Sequence, residues 1–340
     1  LGARGEDGEG LYLPTGRPRL GLLGIAVSAA SLLHSLSGPE LGHWHTAASI
    51  ERELGGAVDG FRCRVVHSRV IAPDQVQRFA RECEALVVEA ETFLEVQGPP
   101  KITAFLFDDA DQKQRLMGAS GTNIAKPWRA EVYVQGTAYP HRVLGHELVH
   151  AVAASAGRGP FRIAGELGGL LPSPGLIEGV AVAAQPRDDE LTAMEWTRAM
   201  KELGLLPPVE RLFSLRFLGE NSSLAYTVSG AFVGWVHETY GGAVVRDWYG
   251  GAALPDLVGK DWPTLQAEFS AALDTLTLTE NAKLRASAKF DRPGFFKRKC
   301  PRVVDACRER AAKLTKEGDR LGALRELDRA MALVPGAPQL

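Results

Sequence analysis

The sequence predicts an α+β fold with a small mixed sheet, a mainly helical C-terminal subdomain and a final helical hairpin. Segments with the pattern of β-strands lie before residue 135, and helical periodicity dominates after it. The 340 residues allow a sizeable core and more than one unit, and 24% charged residues falls within the range of soluble globular proteins. A formal net charge of −2 gives no argument for nucleic acid as a partner.

The predicted sheet begins at residue 61. Residues 61–68 alternate apolar and polar side chains like a strand, and residues 73–96 have helical periodicity. Residues 102–107 form a short apolar run, which is typical of a buried strand. Residues 128–134 are predicted as an edge strand, and an ordinary amphipathic strand is the alternative.

A motif of the form H-E-x-x-H occupies residues 146–150. His146 and His150 are one helical turn apart, so both imidazoles lie on one helix face, about 5–6 Å apart at Cβ, and can reach one tetrahedral metal. The flanking residues, from Pro140 to Gly157, have the apolar periodicity of a helix. The sequence therefore predicts a zinc site, with the carboxylate of Glu147 beside it as a base.

A catalytic zinc usually has three protein ligands and one open position, so a third ligand is expected. Glu166 is flanked by glycines, which weaken a helix and leave the side chain without a rigid support. Glu178 follows the Pro/Gly-rich run 171–175 and opens an apolar helical stretch at 176–184. The pattern favours Glu178, and a solvated carboxylate at a helix start is the alternative for this residue.

The order of these motifs resembles the gluzincin metallopeptidases, the thermolysin-like superfamily. The matching features are the H-E-x-x-H helix, a Gly/Pro-rich connection and P-x-x-x-x-E-G-x-A. The resemblance implies that His146, His150 and Glu178 bind Zn²⁺ and that Glu147 accepts a proton from the water that zinc activates. It also implies that the edge strand pairs with the extended backbone of a peptide substrate.

The resemblance extends to residues 225–235, which look like the helix after the third ligand in several gluzincin branches. Tyr226 is the candidate group for stabilising the oxyanion, and a core tyrosine with a satisfied hydroxyl is the alternative. His141 and His237 are weaker candidates and are interpreted as surface or structural histidines. Val182 stands where thermolysin-type enzymes carry an Asp, so the groups that support the ligands must come from elsewhere.

Residues 118–123 differ from the G-x-M-E-N motif of the aminopeptidase branch, so an endopeptidase is predicted.

Residues 20–36 contain no charged residue and are preceded by Arg17 and Arg19. This pattern predicts a single transmembrane segment at 20–38 with the catalytic domain on the extracytoplasmic side of the membrane. A signal peptide and a buried soluble helix are the alternatives.

The four cysteines, Cys63, Cys83, Cys300 and Cys307, show no C-x-x-C spacing and are interpreted as small buried apolar residues.

Near the C-terminus, two short helical patterns are separated by residues 317–319. The small and apolar positions of these patterns resemble a tetratricopeptide repeat, and an unrelated helical hairpin is the alternative. Since one such repeat cannot bury its own apolar face, we expect the chain to continue beyond Leu340 and to contact a protein partner through the repeats.

The sequence as a whole predicts a membrane-anchored zinc endopeptidase that acts on peptides or proteins. The rival is a catalytically silent, peptidase-like scaffold that acts through its repeats, and a third interpretation is a structural zinc site without turnover. The predicted segments are an N-terminal flank (1–19), the membrane segment (20–38), a linker (39–60), the metallopeptidase domain (61–285), a second linker (286–303) and the repeat segment (304–340).

Overall fold

The structure is a computed structural model that describes residues 3–4, 11–12, 18–37, 45–185, 191–290 and 301–333. The chain divides into two compact units, Leu1–Ser155 and Ala156–Leu340. The first contains a small mixed sheet with helices, and the second is mainly helical. The α+β prediction is confirmed at the level of fold class.

The described elements of the first unit alternate between strands and helices. In chain order they are β1 (Ala3–Arg4), β2 (Leu11–Tyr12), α1 (Pro18–Ser37), α2 (Ala47–Leu54), β3 (Gly55–Asp59), β4 (Cys63–Ser68), α3 (Pro73–Leu94), β5 (Ile102–Phe107), α4 (Ala110–Met117), β6 (Ile124–Lys126), β7 (Glu131–Gln135) and α5 (Leu144–Ala153). The predicted strand 102–107 and helix 73–96 coincide with β5 and α3, whereas β3 and α2 occupy residues that were predicted as a linker.

The main sheet has the strand order β3-β4-β5-β7-β6. Strands β4, β5 and β7 are parallel, and β3 and β6 are antiparallel to their neighbours at the two edges. The prediction of an edge strand at 128–134 is therefore wrong in detail, because β7 lies inside the sheet and β6 forms the edge. Trp128 lies in a short 3₁₀ turn, Pro127–Arg129, because a proline in its first position favours the turn and interrupts the strand.

Helices α3 and α5 contact each other and bury apolar faces in the first unit. A disulfide joins Cys63, the first residue of β4, to Cys83 on α3. Both residues are buried, as predicted, and the sequence did not predict the bond between them. Their Cα atoms are 6.2 Å apart, a distance that a disulfide can bridge. Cys307 is a buried free thiol, and Cys300 lies outside the described residues.

The second unit begins with a two-stranded hairpin and continues with helices. Its described elements are β8 (Gly165–Glu166), β9 (Leu171–Pro172), α6 (Pro174–Ala184), α7 (Ala193–Glu202), α8 (Val209–Leu212), α9 (Ser222–Tyr240), α10 (Gly242–Tyr249), α11 (Leu254–Val258), α12 (Trp262–Asp274), α13 (Glu280–Phe290), α14 (Pro301–Lys316) and α15 (Arg320–Leu333). Helices α6 and α9 pack closely against each other.

Helices α14 and α15 contact each other and are separated by a turn in which Gly318 has a φ of 86°. Ala311, Ala323 and Ala330 are buried in this pair. The two helices are separated by residues 317–319, and the tetratricopeptide resemblance stays a prediction. Residues 291–300 of the predicted second linker lie outside the described residues.

Within the part of the chain that the structure describes, no helix combines the length and the apolar character that a membrane crossing requires. A span needs about 20 predominantly apolar residues, and α1 includes Arg19, His34 and several serines. The prediction of a transmembrane segment at 20–38, and with it the predicted single-pass membrane location, is wrong.

Candidate metal centre

Helix α5 carries the H-E-x-x-H motif and begins without a cap from its own N-cap residue, Val143. His141 supplies the missing acceptor, because its Nδ1 accepts hydrogen bonds from the backbone N–H groups of Leu144 (3.1 Å) and Val143 (3.4 Å). The other ring nitrogen, Nε2, lies 3.2 Å from the carbonyl oxygen of Gln135, at the end of β7. His141 is thus a buried structural residue that fixes the start of the motif helix.

Three ligand atoms from two helices converge at the motif. One atom each from His146, His150 and Glu178 lies within 4.8 Å of the other two. The two imidazole rings meet edge to face, with centroids 4.8 Å apart. His150 is buried, and His146 and Glu178 are half-buried. The three residues that the sequence predicted as metal ligands are therefore together in the folded chain.

Glu147 lies on the same helix and is 7% exposed. A buried lysine, Lys113, interacts with it electrostatically. Burial lowers the pKa of the Lys113 ammonium, and the negative charge of Glu147 opposes that shift. The ammonium donates hydrogen bonds to the carbonyl oxygen of Thr122 (2.6 Å) and to Oδ1 of Asn123 (3.3 Å). It therefore holds the chain where it enters the edge strand β6.

The contacts at the N-terminal end of helix α6 determine the position of Glu178. Pro174 occupies the first turn, where its missing N–H leaves no hydrogen bond unmade. Ser173 precedes it, and its hydroxyl donates to the carbonyl oxygen of Phe213 at 2.9 Å. The carbonyl oxygen of Ser173 accepts the backbone N–H of Ile177 at 3.0 Å. The end of the helix that carries Glu178 is thus attached to the segment after α8.

Close packing between α6 and α9 depends on two glycines. A Cβ atom at Gly179 would lie 2.9 Å from the carbonyl oxygen of Ser229, and one at Gly230 would lie 2.2 Å from Cγ1 of Val182. The side chain of Val182 fills the space that Gly230 leaves. This explains why a branched apolar residue, and not the acidic residue of thermolysin-type enzymes, suits position 182 in this chain.

The hydroxyl of Tyr249, the last residue of α10, is buried and interacts electrostatically with Glu178. Burial raises the pKa of the hydroxyl, the amide of Ala164 opposes the shift, and the charge of Glu178 raises the pKa further. The hydroxyl makes no hydrogen bond of normal geometry with the described residues. It therefore stays protonated and available as a donor.

Tyr226 lies on α9, as its predicted helix requires, and its ring contacts Phe217 at a centroid distance of 5.6 Å. The ring packs against a buried apolar cluster that includes Trp196, Leu224 and Phe290. This packing is the arrangement expected of a core tyrosine. A role in stabilising an oxyanion stays a prediction for this residue.

A cavity of about 620 Å³ borders the start of α6. The rings of Phe213, Trp248 and Trp262 line it, and they contact one another at centroid distances of 4.7 to 6.3 Å. The charged side chains Glu210 and Arg216 also border the cavity and are exposed. Aromatic walls with a few polar groups are typical of sites that bind small ligands or side chains.

The chain matches no family model and no curated protein at a significant level. The chemistry of the site is therefore inferred from its geometry. Sequence reasoning did not single out Lys113 or Tyr249, and it gave His141 no specific contact. A lone lysine or tyrosine on a helix carries no local signal of burial. The i, i+4 histidine spacing, in contrast, is a local signal and was sufficient to identify the motif helix.

Proposed function

We propose that this chain is a zinc-dependent hydrolase of peptide bonds that cuts within peptides. The observation that carries the proposal is the convergence of ligand atoms from His146, His150 and Glu178 within 4.8 Å. Two imidazole nitrogens and one carboxylate oxygen form the donor set of catalytic zinc sites that keep one position open. No cysteine contributes to the group, so the donor set differs from that of most structural zinc sites.

The residues around the donor set also fit a bound metal. When bound, zinc polarises the scissile carbonyl and lowers the pKa of a water molecule toward about 7. Glu147 accepts the proton of the attacking water and passes it to the amine that leaves. Its burial favours this role, because a nearly dry environment strengthens the interaction of its charge with the reacting groups.

The substrate backbone binds along β6 in this proposal. The strand Ile124–Lys126 is at the edge of the sheet, and one side of it is paired with β7. An extended peptide can pair with the other side by adding a strand. The hydrogen bonds of Lys113 to residues 122 and 123 fix the start of this edge.

The test combines metal analysis with turnover in the full chain. We expect about one zinc per chain in the parent and in Glu147→Gln, and a large loss of zinc in Glu178→Ala. Glu166→Ala is the matched control, because this nearby glutamate is exposed and lies outside the donor set. Glu147→Gln should lower the cleavage rate of peptides blocked at both ends by about 10²- to 10⁴-fold.

Two results would contradict the proposal. A folded parent that takes up no zinc from excess metal has no metal centre, and the scaffold interpretation would then replace the hydrolase. Near-parental cleavage by Glu147→Gln would remove this residue from the role of base. A strong preference for peptides with a free N-terminus would overturn the assignment as an endopeptidase.

A further inference from the structure

Tyr249 has a buried hydroxyl whose hydrogen has no acceptor among the described residues. The side chain is 1% exposed, and its hydroxyl oxygen is buried. An unsatisfied buried polar group costs about 1–3 kcal/mol. A buried tyrosine hydroxyl usually has a hydrogen-bond partner. We therefore ask which group accepts a hydrogen bond from Tyr249 in the functional protein.

Two groups lie near the hydroxyl. The backbone amide of Ala164 lowers the pKa of the hydroxyl, and the carboxylate of Glu178 is close enough for its charge to raise that pKa. Helix α10, which ends at Tyr249, packs against α6, which carries Glu178. The amide is a donor, so the hydroxyl hydrogen still needs an acceptor, and the carboxylate of Glu178 is the nearby group that can provide one.

We infer that Tyr249 is a positioning residue that donates a hydrogen bond to the carboxylate of Glu178 when the metal is bound. The inference rests on the proposed function, since it assigns Glu178 as a metal ligand. A carboxylate has two oxygens, and one can bind the metal while the other accepts the hydroxyl. A donor in this place fixes the direction of the ligand oxygen, as hydrogen bonds to metal ligands commonly do.

The packing of Val182 makes this assignment more specific. Position 182 is on the same helix as Glu178, one turn further on, but its side chain fills the space over Gly230 and has no polar atom. Position 182 therefore cannot donate a hydrogen bond to Glu178. Tyr249 provides it from α10, a helix that the chain reaches only after α9.

The test is the zinc affinity of the full-length Tyr249→Phe variant, measured by competition with a chelator. This change removes one oxygen and keeps the ring, so the fold is retained. We expect zinc to bind about 10- to 100-fold more weakly. In the metal-free state, the variant should unfold at the same temperature as the parent or higher, because an unsatisfied hydroxyl has been removed. Cobalt bound in place of zinc should show a changed visible spectrum.

Tyr133→Phe is the matched control. Its hydroxyl is also buried, but it donates to Oε2 of Glu131 at 2.7 Å and has no part in the donor set. We expect this variant to lose stability and to keep the zinc affinity and the cobalt spectrum of the parent. A merely structural role for Tyr249 would give the same pattern as the control.

The outcomes separate this inference from the proposed function. If the parent binds zinc and cleaves peptides while Tyr249→Phe binds zinc within twofold of the parent, the inference fails and the function stands. If the parent binds no zinc, both fail. If zinc affinity falls in Tyr249→Phe and not in Tyr133→Phe, the positioning role is supported even where no suitable peptide substrate has been identified.

Discussion

His141 illustrates how a single buried residue supports the motif without touching its chemistry. Its Nδ1 serves as the N-terminal acceptor for α5, and its ring contacts Phe79 edge to face at 5.5 Å. Burial lowers the pKa of the imidazole from its ordinary value of 6.5, and the carbonyl groups of Gln135 and Gly136 act in the opposite direction. The neutral ring is needed because only an unprotonated Nδ1 accepts hydrogen bonds.

This lowered pKa predicts a pH-dependent stability. Below about pH 6.5 the unfolded chain binds a proton at this histidine while the folded chain resists it, so the free energy of unfolding falls as the pH falls toward the folded-state pKa. His141→Asn keeps an acceptor near the position of Nδ1 and should flatten this dependence. His141→Phe removes the acceptor and should cost about 1 kcal/mol at pH 7.5.

Denaturant unfolding of the parent and both variants at pH 7.5 and 5.5 checks this expectation. The stability gap between the parent and His141→Phe should narrow at the lower pH, because only the parent carries the titrating group. Equal pH slopes in all three proteins would show that His141 does not titrate differently in the folded and unfolded chain.

At the residue scale, local signals in the sequence identified the three side chains that come together, whereas contacts made by tertiary packing were not predicted. His146, Glu147 and His150 are linked by helical spacing, and Glu178 was separated from Glu166 by its helical context. Tyr249 comes close enough to Glu178 for an electrostatic interaction only because α10 packs against α6. Such proximity depends on the packing of helices that are distant in the sequence, and a short stretch of sequence does not predict it.

At the scale of secondary-structure elements, the packing of α6 against α9 fixes the position of Glu178. Two helices approach this closely only where one of them lacks a side chain. Gly230 supplies the gap and Val182 fills it, with only 2.2 Å between the Cγ1 atom of the valine and the position of an added Cβ. Any atom added at position 230 must therefore move α6 or the valine.

Gly230→Ala tests this packing. Alanine favours a helix over glycine by about 1 kcal/mol, but overpacking costs about 1–3 kcal/mol, so we expect a net loss of stability together with weaker zinc binding. Adding Val182→Ala to Gly230→Ala should restore much of both, because it removes the atoms that clash. Thermal unfolding and chelator competition on the two single variants and the double variant measure the effects. A Gly230→Ala protein as stable as the parent would refute the close contact.

The sheet shows what patterns can and cannot predict at this scale. The apolar run at 102–107 identified β5 to the residue, because a buried central strand is apolar throughout. The edge position was assigned to residues 128–134, whereas the three-residue strand β6 occupies the edge. A strand of three half-buried residues has too short a pattern to recognise, and pairing order is decided by tertiary packing.

At the scale of the whole molecule, metal binding at the proposed centre would be coupled to folding. Its three residues come from α5 and α6, which are separate elements of the chain, so a metal bound to all three would recognise the folded state. A ligand that binds only the folded chain stabilises it by RT ln(1 + [L]/Kd), which is about 2.7 kcal/mol when the free metal is at 100 times Kd.

Zinc added to the metal-free chain should therefore raise the unfolding temperature in a concentration-dependent way. Glu147→Gln should show the same rise, since it keeps all three ligands, whereas Glu178→Ala should show much less. Mg²⁺ at the same concentration serves as the control cation, because it prefers oxygen ligands in an octahedral arrangement and should leave the unfolding temperature unchanged. An equal rise in the parent and in Glu178→Ala would mean that zinc stabilises the chain at some other place, and the metal centre would have to be sought elsewhere.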